Sequence, residues 1–366
     1  QPVGQKQVDG ATVYDLGQNA SFMPRLRVSG PAGSKVRLIP AEVLNVDGSI
    51  QRSTMGSTNR GISWWEYTLA GSSRREEAPF KSGSGESLLT SAATNVEVWF
   101  PQFYYVGCRY LEARCSPPEP TPDPSKEGNQ TADARPRNEA PLLGGAAGGL
   151  PRIESLEGVI VHSSAAPVGE FSCSNPLLNR TRELVRWAQR ANMVSVLTDC
   201  PHREKLGWIE QYHLNGPAIR YEFDMARMFT KGMNDMAEAQ LDNGLVPNIA
   251  PEFTEFKGAF RGAAEWGAAF ILVPWQQYEF YGDVDLLRRH YPAMKRYFAY
   301  LDSRATNDIV SDGLGDWFDV GPKKSGASQH TPPPVTATAF YFYDAKILAQ
   351  IAEVLGHAKE AKEFTA

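Results

Sequence analysis

Cysteine is scarce in this chain. Its 366 residues include four, Cys108, Cys115, Cys173 and Cys200, too few and too scattered for a disulfide framework or a zinc site, and neither a metal nor another cofactor is expected. Positive charge is not in excess either. The 37 Lys and Arg against 42 Asp and Glu leave a net charge of -5. That balance argues against a nucleic-acid partner, because phosphate binding needs clustered Lys and Arg, and a neutral or weakly charged ligand fits better. Long apolar runs are missing too. No stretch approaches the roughly 20 residues needed to cross a bilayer, so a soluble chain with no membrane partner is expected. The chain opens on a polar segment that soon reads as strand, and no signal peptide is visible there.

What is present suits packed cores. A hydrophobic fraction of 42% with 11% aromatics excludes a disordered protein. At about 100 to 200 residues per domain, the length predicts two domains. The first third reads as sheet: Thr12 to Leu16, Arg25 to Val28, Lys35 to Ile39, Ser63 to Leu69, Val96 to Phe100 and Tyr104 to Ala113 are short β-branched and aromatic runs separated by Gly, Pro and Asn. Such evenly punctuated strands predict a sandwich or jelly roll. Residues 117–151 are rich in Pro, Gly and charge, and cannot bury enough apolar surface to offset their ordering entropy. They predict a loop inserted within the sandwich, because Gly158 to His162 returns to strand pattern. Sequons stand at Asn19, Asn129 and Asn179, the last in a predicted helix and so the least suited to a glycan.

The period changes after Cys173, which sets the domain boundary at 172/173. Ser174-Asn175-Pro176 offers an N-cap and a first-turn proline, and Leu177, Leu178, Leu184, Val185, Trp187, Ala188 and Ala191 recur at helical spacing. Further helical stretches are predicted near 217–241, 264–281, 284–302 and 336–355, with loops between them that carry PNIAPEF at 247–253 and GLGDWFDVGP at 313–322. On this pattern alone the second half is a helical domain.

The richest run is TDCPHREKLGW, Thr198 to Trp208, which sets Asp199, Arg203 and Glu204 beside the indole of Trp208, with Glu210 two residues on. Carboxylates grip sugar hydroxyls and move protons, and an aromatic face covers the apolar side of a pyranose ring. The combination suggests a carbohydrate site. As an isolated segment it fits equally well a charged loop capping a helix, with Trp208 as ordinary core.

This run resembles the signature of family 78 glycoside hydrolases, the inverting α-L-rhamnosidases: Asp-Cys-Pro-x-Arg, one or two acidic residues, a basic residue, then Leu-Gly-Trp. VYDLGQN at 13–19, PAEVL at 40–44 and FYYVGCRYLEA at 103–113 are similar to segments of the β-sandwich that precedes the catalytic domain in that family. The resemblance implies a multidomain β plus α protein, a jelly-roll-like β-sandwich over 1–172 followed over 173–366 by the first part of an (α/α)6 toroid. That toroid has six hairpins, and too few helices are counted here to complete it.

Family membership would make the protein a glycosidase releasing terminal α-L-rhamnose or a similar deoxy sugar, with carbohydrate as substrate and a secreted or periplasmic setting favoured. By the same resemblance Glu204 is the general acid, expected to be kept protonated by desolvation against Trp208 and by a neighbouring carboxylate. Asp199 grips sugar hydroxyls, Arg203 supports substrate and acid, and Trp208, Trp266 and Trp317 contact the sugar. The general base lies beyond residue 366, so the remainder of the same protein is the expected partner. Glu252, Glu255, Asp316 and Asp319 are acidic loop residues that could reach the same rim, and Asp316 is counted with the sugar contacts.

Two departures bear on specificity. The usual Thr-Gly-Asp after Leu-Gly-Trp is Ile209-Glu210-Gln211 here, and the usual Gly-Trp-Gly-Asp is Glu265-Trp266-Gly267-Ala268. Both fall where contacts to sugar hydroxyls are expected, which places Glu210 and Gln211 among the candidate substrate-binding residues. Two other functions fit the same scaffold. One is a lyase acting on a rhamnosyl-uronate linkage, with His202, Tyr212 or His213 as base. The other is a sugar-binding protein without catalysis.

Overall fold

The computed structural model describes residues 1–55, 63–71, 96–119, 149–326 and 328–366. The chain forms two compact units, Gln1–Val161 and His162–Ala366. The division falls earlier than the 172/173 boundary read from the sequence, because residues 162–172 are tied to helical partners. Ser163 N–H donates to the Met193 carbonyl at 2.6 Å, Asp224 N–H to that of Ala166 at 2.8 Å, and Pro167 bridges Phe223.

The first unit is antiparallel throughout. Its strands are β1 (Gly4–Val8), β2 (Ala11–Ser29), β3 (Lys35–Ala41), β4 (Val43–Leu44), β5 (Ile50–Gln51), β6 (Trp65–Thr68), β7 (Glu97–Trp99), β8 (Val106–Ser116) and β9 (Arg152–Ile160). The main order is β1-β2-β8-β3-β6, with β7 and β9 both paired to β2, while β4 and β5 pair with each other. The two strands predicted at Thr12 and Arg25 are halves of the single β2. Its first half, Ala11 to Asp15, pairs with β1 and β8, and its second half, Phe22 to Ser29, pairs with β9. The register slips between Asp15 and Ala20. Gly17 sits at that slip with φ +81°, a left-handed conformation that favours glycine, and its N–H is held by Asp15 Oδ1 at 2.7 Å.

One strand thereby joins β1 and β8 to β7 and β9 within a single seven-stranded sheet. Val13, Leu26, Val28, Val36, Leu38, Leu111 and Leu156 form its buried core, all at most 3% exposed. Of the predicted insertion at 117–151, residues 120–148 lie outside the described residues, as does Asn129. The strand that follows begins at Arg152 and not at Gly158.

The second unit is helical: α1 (Pro176–Ala191), α2 (Glu210–Leu214), α3 (Gly216–Glu222), α4 (Ala226–Ala239), α5 (Ala264–Gly267), α6 (Ala269–Tyr281), α7 (Val284–Arg304), α8 (Pro333–Leu355) and α9 (Ala358–Thr365). Two-residue ladders join β10 (Met193–Val194) to β11 (Val196–Leu197) and β12 (Ala305–Thr306) to β13 (Ile309–Val310). The N-cap of α1 is Asn175, whose side chain accepts from Leu177 N–H at 2.9 Å, with Pro176 in the first turn. Asn179 on the same helix has its amide occupied by the Cys173 backbone, at 2.9 and 2.8 Å.

The predicted helix 217–241 is two helices, parted at Phe223, whose backbone is extended. The predicted 264–281 divides at Ala268 into α5 and α6. The apolar residues that give α1 its helical signal stay largely exposed, Leu177 at 70% and Leu178 at 52%. The centre is α6. Its first half is apolar on every side and buried from Ala269 to Pro274, as a stretch without a polar face must be, and the helix packs on α2, α3, α4, α7 and α8.

Candidate active site

The signature loop is fixed by close backbone approach. Leu206 and Ile209 are buried, and between them Gly207 N–H and C=O run beside the 247–253 loop. Ile209 N–H donates to the Asn248 carbonyl at 2.9 Å, Ala250 N–H to that of Gly207 at 3.1 Å, and Trp208 bridges Ile249. A Cβ at position 207 would stand 2.8 Å from the Ala250 oxygen, so only glycine allows this pairing.

Asn248, 1% exposed, carries the order onward. Its side chain donates to the Ala259 carbonyl at 3.0 Å and accepts from Ala263 N–H at 2.9 Å, which sets the start of α5 and with it Glu265 and Trp266. The third loop is tied to the same point, since Gly315 N–H at 3.2 Å and the Thr336 hydroxyl at 2.7 Å both donate to Glu265 Oε1.

The signature loop and the 313–322 loop, together with α2, α5, the start of α8 and Phe260, line a cavity of about 500 Å³. It brings together Asp199, Glu204, Trp208, Glu210, Gln211, Trp266, Asp316 and Trp317, which the sequence places up to 118 positions apart. Arg203 does not line it and is exposed. Of the other acidic loop residues, Glu252 and Glu255 are engaged by Arg261, at 2.9 and 2.8 Å. Asp319 accepts the backbone N–H groups of Gln329 and His330 at 2.7 and 2.9 Å, hydrogen bonds that hold its carboxyl below the usual range. These three are absent from the lining, because each is used to close its own loop. Glu265, Phe260 and Phe318 do line it, without having been read as contacts. For Glu265 the signal was available, a single carboxylate within the apolar run AAEWGAAF.

The floor is acidic and short of partners. Glu210 is 9% exposed and Glu265 6%. Among the described residues, Asp199 Oδ1, Glu210 Oε2, Glu265 Oε2 and Trp266 Nε1 are buried without a hydrogen-bond partner. Burial pushes Glu210 up to about 7, with the nearby charges of Asp199 and Glu204 adding to it, against the opposing hydrogen bond from Gln211 Nε2 at 2.9 Å. The burial expected at Glu204 therefore falls on Glu210. Glu204 itself is exposed, its Oε2 held by Trp208 Nε1 at 3.0 Å and its N–H directed at Cys200 Sγ at 3.2 Å.

The opposite side is aromatic. Trp208 packs on Phe256, Phe256 on Phe260, Phe260 on Trp317 and Trp317 on Phe318, with ring centroids 5.2 to 6.4 Å apart. No Lys, Arg or His is among the lining residues described. An acceptor-rich floor beneath an aromatic wall complements a ligand with many hydroxyls and an apolar ring face.

The helical unit preceded by a sandwich has the architecture of a six-hairpin glycosidase domain behind a concanavalin-like domain. The chain belongs to glycoside hydrolase family 78: residues 166–366 match the bacterial alpha-L-rhamnosidase 6 hairpin glycosidase domain, and residues 5–127 match the bacterial alpha-L-rhamnosidase concanavalin-like domain. It is 32% identical over 358 residues to an alpha-L-rhamnosidase of Streptomyces avermitilis, covering 97% of this chain and 28% of the relative. An alpha-L-rhamnosidase of Formosa agariphila is 25% identical over 359 residues, covering 97% of this chain and 32% of the relative. Among solved structures, the alpha-L-rhamnosidase from Dictyoglumus thermophilum aligns with all of this chain and 34% of its own length, at TM-score 0.78 and 27% identity. The Streptomyces avermitilis enzyme complexed with L-rhamnose aligns with all of this chain and 29% of its own, at 0.73 and 30%. The chain thus spans about a third of the length of these relatives.

Proposed function

We propose that this protein is a glycosidase that releases terminal α-L-rhamnose, or a closely similar deoxy sugar, by an inverting acid/base mechanism. One observation carries the reading. A solvent-facing carboxyl at Glu204, held by the Trp208 indole, stands over buried acceptors on Asp199 and Glu210 in one cavity. Buried oxygens without partners are costly, and sugar hydroxyls would supply the missing donors.

In this reading Glu204 protonates the leaving oxygen. Asp199, Glu210, Gln211 and Asp316 hold hydroxyls, and Trp208, Trp266 and Trp317 pack on the ring. Arg203, which the resemblance gives a role in supporting substrate and acid, is exposed and outside the lining. Inversion needs a second carboxyl about 6.5 to 9.5 Å from the first, with room for water between them. The family resemblance puts that base outside these 366 residues, on the remainder of the protein. The named relatives support rhamnose as the sugar, one of them being described in complex with L-rhamnose.

The lyase alternative is disfavoured by what surrounds its bases. Tyr212 is 1% exposed and its hydroxyl accepts Leu197 N–H at 3.2 Å. His213 is 4% exposed, and burial lowers it to about 4. Neither they nor His202 line the cavity.

The test is Glu204→Gln in the full-length protein. Hydrolysis of natural rhamnosides should fall by at least about 100-fold, the scale of losing a general acid, while L-rhamnose affinity changes little, because the amide still hydrogen-bonds. Near-normal turnover on a substrate with a poor leaving group would refute the assignment.

A further inference from the structure

Glu265 is held in a way its structural contacts do not explain. One carboxyl oxygen, Oε1, receives both the Gly315 N–H and the Thr336 hydroxyl, at 3.2 and 2.7 Å, and Thr336 lies within 3.0 Å of the Pro333 carbonyl as well. The other oxygen, Oε2, is buried with no partner although the residue is 6% exposed and lines the cavity. A residue needed only to tie the third loop to α5 would do so with a single acceptor oxygen. An amide or a hydroxyl would serve, without burying a carboxylate.

The backbone also makes room for this carboxyl. A Cβ on Gly313 would come within 2.8 Å of both its oxygens. The doubly anchored Oε1 fixes the plane of the group and so the direction of Oε2, which is how a binding site is organised before its ligand arrives. Trp266 Nε1, on the next residue of α5 and a residue 8% exposed, is likewise buried and unpartnered. Both residues line the cavity, so it holds a free acceptor and a free donor for hydroxyl groups, which can give one hydrogen bond and take another.

We propose that Glu265 is a specificity-determining residue whose Oε2 accepts a hydrogen bond from one ring hydroxyl of the bound sugar, while Trp266 Nε1 offers a donor in the same cavity. This rests on the reading of the cavity as a sugar site and deepens it. Glu265 and Glu210 stand at the two places where the sequence departs from the family pattern, which lacks a carboxylate at both positions and carries one at Gln211 and Ala268 instead. Ala268 is fully buried here, and Gln211 donates to Glu210. The acceptors of this cavity are therefore placed differently from those the pattern would supply, and the hydroxyl reached by Glu265 is held from a position where the pattern has no carboxylate.

The experiment compares the full-length wild-type protein with Glu265→Gln by calorimetry on L-rhamnose, its 2-, 3- and 4-deoxy analogues, L-mannose and L-fucose. The wild type should bind one deoxy analogue about 10- to 100-fold more weakly than L-rhamnose, the scale of losing one hydrogen bond to a charged group. In Glu265→Gln that gap should collapse to within about threefold, with the gaps for the other hydroxyls unchanged. Thermal unfolding provides the second reading: Glu265→Gln should unfold no earlier than wild type, since it keeps the Oε1 anchor, and Thr336→Val tests the anchor alone. A uniform loss of affinity accompanied by earlier unfolding would make Glu265 structural and overturn the proposal, as would an unchanged pattern of discrimination. Binding of L-fucose in place of L-rhamnose would sink rhamnose as the substrate and leave Glu265 to be judged on the same comparison. No binding of any of these sugars would overturn both.

Discussion

A carboxyl buried beside two other carboxyls is expensive to ionise, and Glu210 is in that position, with Asp199 and Glu204 nearby. Its folded-state value of about 7 lies above the ordinary 4.5, so the folded protein holds the proton more tightly than the unfolded chain. The stability it contributes is complete below about pH 4.5 and is lost as pH rises through about 7. At about 1.4 kcal/mol per tenfold change in proton affinity, the span amounts to roughly 3 kcal/mol. Glu210→Gln should therefore be more stable than wild type at pH 8, by up to about 3 kcal/mol, and should have a flatter stability profile between pH 5 and 8. Urea unfolding at the two pH values measures this, and equal pH dependence in both proteins would disprove it. The residue types of this site were legible in the sequence, down to Glu204, Trp208 and Glu210. Their burial was not. Glu210 opens α2 and turns inward, while Glu204 six positions earlier stays on an exposed loop, a difference set by packing between loops that local sequence does not encode.

At the scale of elements, sequence showed where strand and helix lie better than where they end. The two halves of β2 read as separate strands because Gly17 and Asn19 interrupt the apolar alternation, yet pairing to β8 and β9 holds the strand together across the slip. Conversely, 217–241 reads as one helix because its apolar spacing continues through Phe223, whose buried ring ends α3 by turning the backbone extended. The signature loop is the clearest case of a local motif whose reason is long-range. Gly207 has no unusual φ to explain it, only the carbonyl of Ala250 where a side chain would go. Gly207→Ala should destabilise the helical unit by about 1 to 3 kcal/mol, the usual cost of forcing atoms into a packed place, and should lower activity by displacing Trp208. Gly4→Ala, with nothing within 4 Å of the added atom, is the control and should leave unfolding unchanged. Equal stability of the two variants in denaturant titration would count against the close approach.

For the whole molecule, the resemblance placed a sandwich ahead of a hairpin domain, and two units with separate cores are found, each closed by its own hydrogen bonds. Composition alone could not set the join, since residues 162–172 carry no helix yet belong with the helical unit. Composition did carry the charge. A chain of net -5 concentrates Asp199, Glu204, Glu210, Glu265 and Asp316 on one cavity with no Lys, Arg or His among the lining residues described. Two unit charges about 6 Å apart repel by roughly 3 kcal/mol at the effective dielectric of a partly exposed site. A sugar bearing a sulfate or carboxylate should therefore bind far more weakly than its neutral parent. For the full-length protein, inhibition by L-rhamnose should exceed that by a rhamnose monosulfate by about 100-fold, the scale of one such repulsion. Raising ionic strength from 0.05 to about 0.5 M should narrow the gap, because screening lengths fall below the dimensions of the cavity. Equal inhibition by the two sugars would mean that cations from elsewhere in the protein neutralise the floor, and the acidic lining would then no longer exclude anionic substrates.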